Sequence, residues 1–192
     1  MPTGLRRIMK NLYYVAGPSG AGKDTVINWA RERLPFATPV VFAHRYITRP
    51  ADSGGENHIA LSESEFELRL ARGLFSMHWQ SHGLRYGIGV EVLDWLSSDV
   101  SVVVSGSREY LSRARETFPG LVYVHVTAPP EVLRERLRAR GREQDEDIDA
   151  RIERTTNLSD RAGAHDVEIV NHGRIEEAGR QFLDLLVGTA SN

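Results

Sequence analysis

The chain has 192 residues, 41% of them hydrophobic, with 24 basic against 26 acidic side chains and a formal net charge of −2. That length suits one compact domain with room for a small insertion, and the near-balanced charge argues against a general nucleic-acid or membrane-surface binder. There is no cysteine, which excludes disulfides, thiolate catalysis and cysteine-ligated metals; no apolar run has the length of a bilayer span or a signal-peptide core, so a cytoplasmic protein is expected.

Leu12 to Ala16 is a short apolar run of the kind that forms a buried strand. Gly17-Pro18-Ser19-Gly20-Ala21-Gly22-Lys23 follows, and then Val26, Ile27, Ala30 and Leu34 recur at helical spacing up to Pro35. Strand, glycine-rich turn and helix in succession is the setting of a phosphate-binding P-loop. The glycines open backbone conformations closed to other residues, so that several N–H groups can converge on one anion. The helix N-terminus adds partial positive charge, and Lys23 reaches the outer phosphates. A plain glycine turn is the alternative, but spacing, lysine and flanking elements all agree on the P-loop.

In a P-loop the residue after the lysine is Ser or Thr, whose hydroxyl coordinates magnesium; here it is Asp24. Thr25 comes one place later, and neighbouring helix residues diverge by about 100°. A carboxylate beside bound phosphates is repulsive unless a cation lies between them. Asp24 is therefore expected to bind Mg²⁺, directly or through water; favourable interaction with the helix dipole is compatible with that role. The expected nucleotide-binding set is Gly17, Pro18, Ser19, Gly20, Ala21, Gly22, Lys23, Asp24 and Thr25, with ATP and Mg²⁺ as its ligands.

Val40 to Ala43 reads as a second strand whose end carries His44, Arg45, Thr48, Arg49 and Pro50, before a turn-rich loop from Ala51 to Asn57. Ser62-Glu63-Ser64-Glu65 has the form of a capping box for a helix through Arg72, stopped by Gly73. Leu74 to Gly89 alternates as short strands, Glu91 to Leu96 is helical, and Val100 to Val104 is the clearest buried strand. Ser105-Gly106-Ser107-Arg108 then leads into a helix ending at Thr117. Leu121 to Val126 is a strand, Glu131 to Arg140 a helix, Glu146 to Ala162 a helix, Val167 to Val170 the last strand and Ile175 to Val187 the last helix.

Strands alternating with helices predict an α/β fold of the P-loop NTPase class, a parallel sheet flanked by helices. Ligands of such sheets bind at the carboxyl ends of the strands, where the polar clusters at 17–23, 44–49 and 105–108 fall. The core is expected over 10–50 and 98–187, with an inserted acceptor-binding subdomain at about 51–89 and a helical lid at about 138–149. Around the lid, Arg134, Arg136, Arg138, Arg140, Arg142, Arg151 and Arg154 crowd together. For most of them a solvated, ion-paired surface is the better reading. In phosphoryl transfer, however, the protein mainly positions reactants and neutralises spreading charge, and lid arginines suit that work.

Several segments resemble the guanylate kinase family, over nearly the whole chain. They are the P-loop, Thr48-Arg49-Pro50, His82-Gly83-Leu84-Arg85-Tyr86-Gly87, Leu137-Arg138-Ala139-Arg140-Gly141 with Ile148 and Arg151, Gly163-Ala164-His165-Asp166, and Ile169-Val170-Asn171. The resemblance implies that Arg136, Arg140 and Arg151 contact donor phosphates beside the catalytic Lys23, and that Asn171 lies near the donor base. The acceptor side departs from that family. Met77 stands where its guanine-reading Glu belongs, Ser105 replaces an Asp, Ser53 replaces a phosphate-gripping Arg, and His58 and Arg85 fall where tyrosines are expected. Losing complementary hydrogen-bond partners should make guanylate a poor substrate.

Gly-Pro-Ser-Gly-x-Gly-Lys-Asp together with Val104-Ser105-Gly106-Ser107-Arg108 is more similar to the ribose 1,5-bisphosphate phosphokinases of phosphonate breakdown. That resemblance implies transfer of the ATP γ-phosphoryl group to the 1-phosphate of ribose 1,5-bisphosphate, giving 5-phosphoribosyl 1-diphosphate. Such an acceptor carries two phosphates and no base. Arg45, Arg49, His58, Arg85, Tyr86, Ser105 and Arg108 are the expected substrate-binding set. The attacking phosphate oxygen is already ionised, so none of His44, His78 and His82 is assigned as a base. A nucleoside monophosphate kinase and a non-catalytic binding module are the alternatives. The oligomeric state stays open, a homodimer included.

Overall fold

Alternation along one strand sets up two cores. All five side chains of β1 (Leu12–Ala16) are buried, and successive strand residues point to opposite faces. Tyr13 and Val15 join one cluster with Val26, Ile27, Leu133, Leu137 and Phe182. Leu12, Tyr14 and Ala16 join another with Met77, Ile88, Val92, Leu111 and Ala114. A strand covered on both faces reads as the unbroken apolar run seen in the sequence.

The computed structural model describes residues 11–51, 58–140 and 166–188. After β1 come α1 (Lys23–Arg33), β2 (Val40–Phe42), β3 (Arg45–Ile47), β4 (His58–Ala60), α2 (Glu63–Ala71), β5 (Phe75–Ser81) and β6 (Leu84–Gly89). Then follow α3 (Glu91–Ser97), β7 (Ser101–Ser105), α4 (Leu111–Thr117), β8 (Val122–Thr127), α5 (Pro130–Arg140), β9 (Val167–Val170) and α6 (Ile175–Val187). One sheet has the order β2-β7-β1-β8-β9, parallel at every pairing, as the alternating pattern predicts. Helices α1, α5 and α6 supply its first core, while α3 and α4 supply the second. The order places the P-loop after the central strand, with the ends of β2 and β7 to one side of it.

A second, mixed sheet of order β4-β3-β6-β5 stands against this core. Its β3 falls in the polar stretch at the end of the expected second strand, where no further strand is expected, so the sheet begins at Arg45, ahead of the expected boundary at about 51. The charge of Arg45 hid the strand: Arg45 and Ile47 are buried while Tyr46 between them is not, an alternation with a cation at an inward place. The capping box is observed, the Ser62 hydroxyl accepting from the Glu65 amide at 3.1 Å, and Gly73 ends the turn after α2 with φ 66°. The expected helix over 146–162, and the lid from 141 to 149, lie outside the described residues.

Phe182 of α6 is fully buried in the first core, whereas Phe36 is wholly exposed. Phe182→Ala is expected to cost about 3–5 kcal/mol by the lost burial and the cavity left behind. Phe36→Ala should stay within about 0.5 kcal/mol. Urea unfolding of the two variants checks the contrast.

Candidate active site

The turn between β1 and α1 needs glycine for two separate reasons. Gly20 and Gly22 have φ 89° and 83°, in the left-handed region that side chains disfavour. Gly17 passes so close to β8 that a Cβ there would lie 1.9 Å from the Val126 carbonyl oxygen. The turn is also braced from outside. Arg136 of α5 donates from Nη1 to the carbonyls of Gly20 and Ala21, both at 3.2 Å. Asn171, buried just past β9, donates from Nδ2 to the Ala21 carbonyl at 2.9 Å. Its Oδ1 accepts from Arg136 Nη2 at 3.4 Å and from the Gly173 amide at 3.3 Å. Sequence reasoning expects both residues at the donor; the structure brings them to the P-loop backbone.

Lys23, the first residue of α1, pairs with Asp24 Oδ1 at 2.5 Å and also donates to the Ser105 hydroxyl. That hydroxyl donates onward to Asp24 Oδ1 at 3.2 Å, and Arg45 Nη2 lies 3.8 Å from the same oxygen. Burial alone would push the Asp24 carboxyl up. The charges of Lys23 and Arg45, with the hydrogen bonds from Lys23 and Ser105, outweigh it and hold the group below its ordinary value. Arg45 is itself buried, its guanidinium 5.4 Å from the centre of the Tyr86 ring, and Tyr86 stacks on Trp79 at 5.4 Å and 1° between planes. Tyr14 fixes the turn after β7: its hydroxyl donates to the Ser107 carbonyl at 2.8 Å and accepts from the Ser107 amide at 2.9 Å. Burial raises that phenol's pKa, keeping it a neutral donor.

Asp24, Ser105 and Arg45 line a cleft between α1 and the ends of β2 and β7. Its far wall holds Asn28, Arg31 and Phe42, and neither Asn28 nor Arg31 was singled out from the sequence. The signal was present, since 24, 28 and 31 share one helix face. Arg49 and His58 meet beside β3, with Arg49 Nη2 3.3 Å from His58 Nδ1. Arg108 sits in the turn after β7, its carbonyl accepting from the Leu111 amide at 3.1 Å. Pro18 and Ser19 continue the P-loop, and Thr25 is exposed on α1.

Arg85 is a correction. It pairs with Glu67 and, at 3.9 Å, with Glu63 of α2, and lies 4.6 Å over the Phe66 ring. The cause is the two-residue period of β6: Tyr86 lies on the face of Arg45 and Trp79, so Arg85 faces α2. Met77 is fully buried in the second core and offers nothing to a base. Burial, followed by the charges of Arg113 and Arg85, lowers the pKa of His78. Arg151 and the Arg140 side chain lie outside the described residues.

The cradle fits a polyphosphate. A Cβ on Gly22 would come within 2.5 Å of Asn171 Nδ2, so glycine there lets Asn171 brace the turn whose N–H groups are left for an anion. Among the described residues there is no group of three or more His, Cys, Asp or Glu that could hold a metal ion. A cation at Asp24 would draw its remaining oxygens from phosphate and water, a donor set that suits Mg²⁺.

Sheet, P-loop and flanking helices define a P-loop kinase with the guanylate kinase fold. Residues 14–157 match the AAA domain family. A crystal structure of guanylate kinase from Anaplasma phagocytophilum superposes with TM-score 0.69 over 96% of this chain and 88% of that one, at 19% identity. The chain is 53% identical over 175 residues to ribose 1,5-bisphosphate phosphokinase PhnN of Thiobacillus denitrificans, covering 91% of this chain and 92% of that protein. It is 50% identical over 181 residues to the protein of the same name from Desulfomicrobium baculatum, covering 94% and 96%. The chain belongs to the ribose 1,5-bisphosphate phosphokinase family.

Because the folded pKa of Asp24 is depressed, its stabilising contribution is whole above the ordinary carboxylate value, about pH 4, and is lost as pH falls through the lower folded value. Asp24→Asn should therefore melt at a lower temperature than the parent at pH 7. The two melting curves should converge as the pH drops towards 3, as scanning calorimetry across that range would show.

Proposed function

We propose that this protein transfers the γ-phosphoryl group of ATP to the 1-phosphate of ribose 1,5-bisphosphate, giving 5-phosphoribosyl 1-diphosphate and ADP. The observation that carries the reading is a P-loop beside a cleft whose polar lining is Asp24, Asn28, Arg31, Arg45 and Ser105, set among apolar residues, in a chain about half identical to kinases of that name over nearly their full length. A baseless, doubly phosphorylated sugar has more use for the two arginines of that cleft than a purine does.

An oxygen of the 1-phosphate attacks the γ-phosphorus, a new P–O bond forms, and the bond to the β-phosphate oxygen breaks with its electrons leaving on ADP. The attacking oxygen is largely ionised at neutral pH, so no base is needed. Lys23 exchanges its contact with Asp24 for the donor phosphates. Arg136 and Asn171 act on the nest, holding its carbonyls, while Arg140 and Arg151 are assigned to charge neutralisation at the transferred group. Mg²⁺, held at Asp24, would supply further neutralisation of the donor phosphates. Arg45, Arg49, His58, Tyr86, Ser105 and Arg108 belong to the acceptor side. No helix among the described residues is long and apolar enough to cross a membrane, which fits an enzyme of small metabolites in the cytoplasm.

Purified protein with ATP and Mg²⁺ should turn over ribose 1,5-bisphosphate, with kcat/KM for GMP lower by about 10⁴-fold. Lys23→Ala should cut kcat by about 10²–10³-fold. A coupled ADP assay with both acceptors decides it, and preference for GMP would overturn the reading.

A further inference from the structure

We propose that Arg31, assisted by Asn28, binds the phosphate of the acceptor that does not react, at the end of the cleft remote from the P-loop. The inference rests on a bisphosphorylated sugar being the acceptor. It fixes which way round that molecule lies.

Helix α1 runs directly out of the P-loop, so distance along it measures distance from the reacting centre. Asp24, Asn28 and Arg31 line the cleft and stand at i, i+4 and i+7, one face of the helix. The face next to it carries the buried Val26, Ile27 and Ala30. Arg31 is seven residues beyond Asp24, about 10 Å along the axis. Helical side chains lean back towards the N-terminus, which brings the guanidinium nearer. One anion beside Lys23 and Asp24 and a second beside Arg31 therefore match the two ends of a five-carbon sugar bisphosphate. A purine presents no charge to the second position.

The guanidinium is also held ready. It lies 5.1 Å from the centre of the Phe42 ring, a geometry that fixes its plane while leaving N–H groups at the edge for an oxyanion. Its Nε is buried and has no hydrogen-bond partner among the described residues. Arg33, Arg69 and Arg115, by contrast, pair with Glu32, Glu65 and Asp166, while Arg49, whose Nε is also buried without a hydrogen bond, meets His58. A buried donor without an acceptor is destabilising, and a phosphate from outside answers that need bidentately.

The test uses Arg31→Met, which keeps the stem over Phe42, and Arg31→Lys. Probes are ribose 1,5-bisphosphate as substrate, ribose 5-phosphate as an inhibitor carrying only the distal phosphate, and ribose 1-phosphate carrying only the reactive one. Arg31→Met should raise KM for the bisphosphate and Ki for ribose 5-phosphate together, by about 10–100-fold. Ki for ribose 1-phosphate and KM for ATP should stay within about twofold, and Arg31→Lys should recover part of the loss. Asn28→Ala should reproduce the same selectivity more weakly. Equal weakening of both monophosphates, or an unchanged Ki for ribose 5-phosphate, would overturn the assignment. Should the parent fail to phosphorylate the bisphosphate at all, the proposed function falls and this inference with it. An active parent with an indifferent Arg31→Met removes only the inference.

Discussion

A loop that gathers backbone N–H groups onto one anion must send its carbonyls elsewhere, and buried carbonyls need donors. Here the Gly20 and Ala21 carbonyls find them in Arg136 and Asn171. That requirement ties three distant parts of the chain together: the turn after β1, the helix before the lid segment and the residue after the last strand. The phosphate cradle is therefore not a local property of its glycines. Its shape depends on α5 and β9 being in place, which the parallel pairing of β9 on β8 secures.

The second constraint is the alternation of the smaller sheet, which sorts cations between two faces. On β3, Arg45 faces inward and Tyr46 outward. On β6, Tyr86 faces inward and Arg85 outward, onto Glu67. Burying Arg45 is costly unless the charge is compensated, and its compensation comes from Asp24 and the Tyr86 ring. Asp24 and Arg45 are thus coupled across the boundary between the two sheets. An ordinary hydroxyl at position 24 would leave the arginine short of its partner.

Much of this was legible in the chain. Apolar runs mark the parallel strands, most clearly β1 and β7, which are covered on both faces, and the P-loop is readable because its glycines, lysine and helix are contiguous. What escaped notice depends on side-chain direction. Arg45–Ile47 does not read as a strand because a charged residue occupies the buried place of its alternation. Arg85 reads as a substrate ligand from the motif around it, yet the strand period turns it to α2. Asn28 and Arg31 sit within the first helix's polar complement, where spacing marks a shared face but not what that face opposes. Only the placement of β2 and β3 against α1 makes it a wall of the cleft.

The short Lys23–Asp24 pair bears on how the site accepts its donor. Arriving phosphates compete with Asp24 for the lysine, and they bring charge of the same sign as the carboxylate. Once Lys23 moves to phosphate, Asp24 keeps Ser105 and the more distant Arg45, too little to offset a polyphosphate alongside. With the lysine gone, burial and the phosphate charge both work against the ionised carboxylate that Lys23 had held. A divalent cation between the two is the remaining remedy. In the proposed reaction, an acid at position 24, where other P-loops carry a hydroxyl, would couple donor binding to that cation.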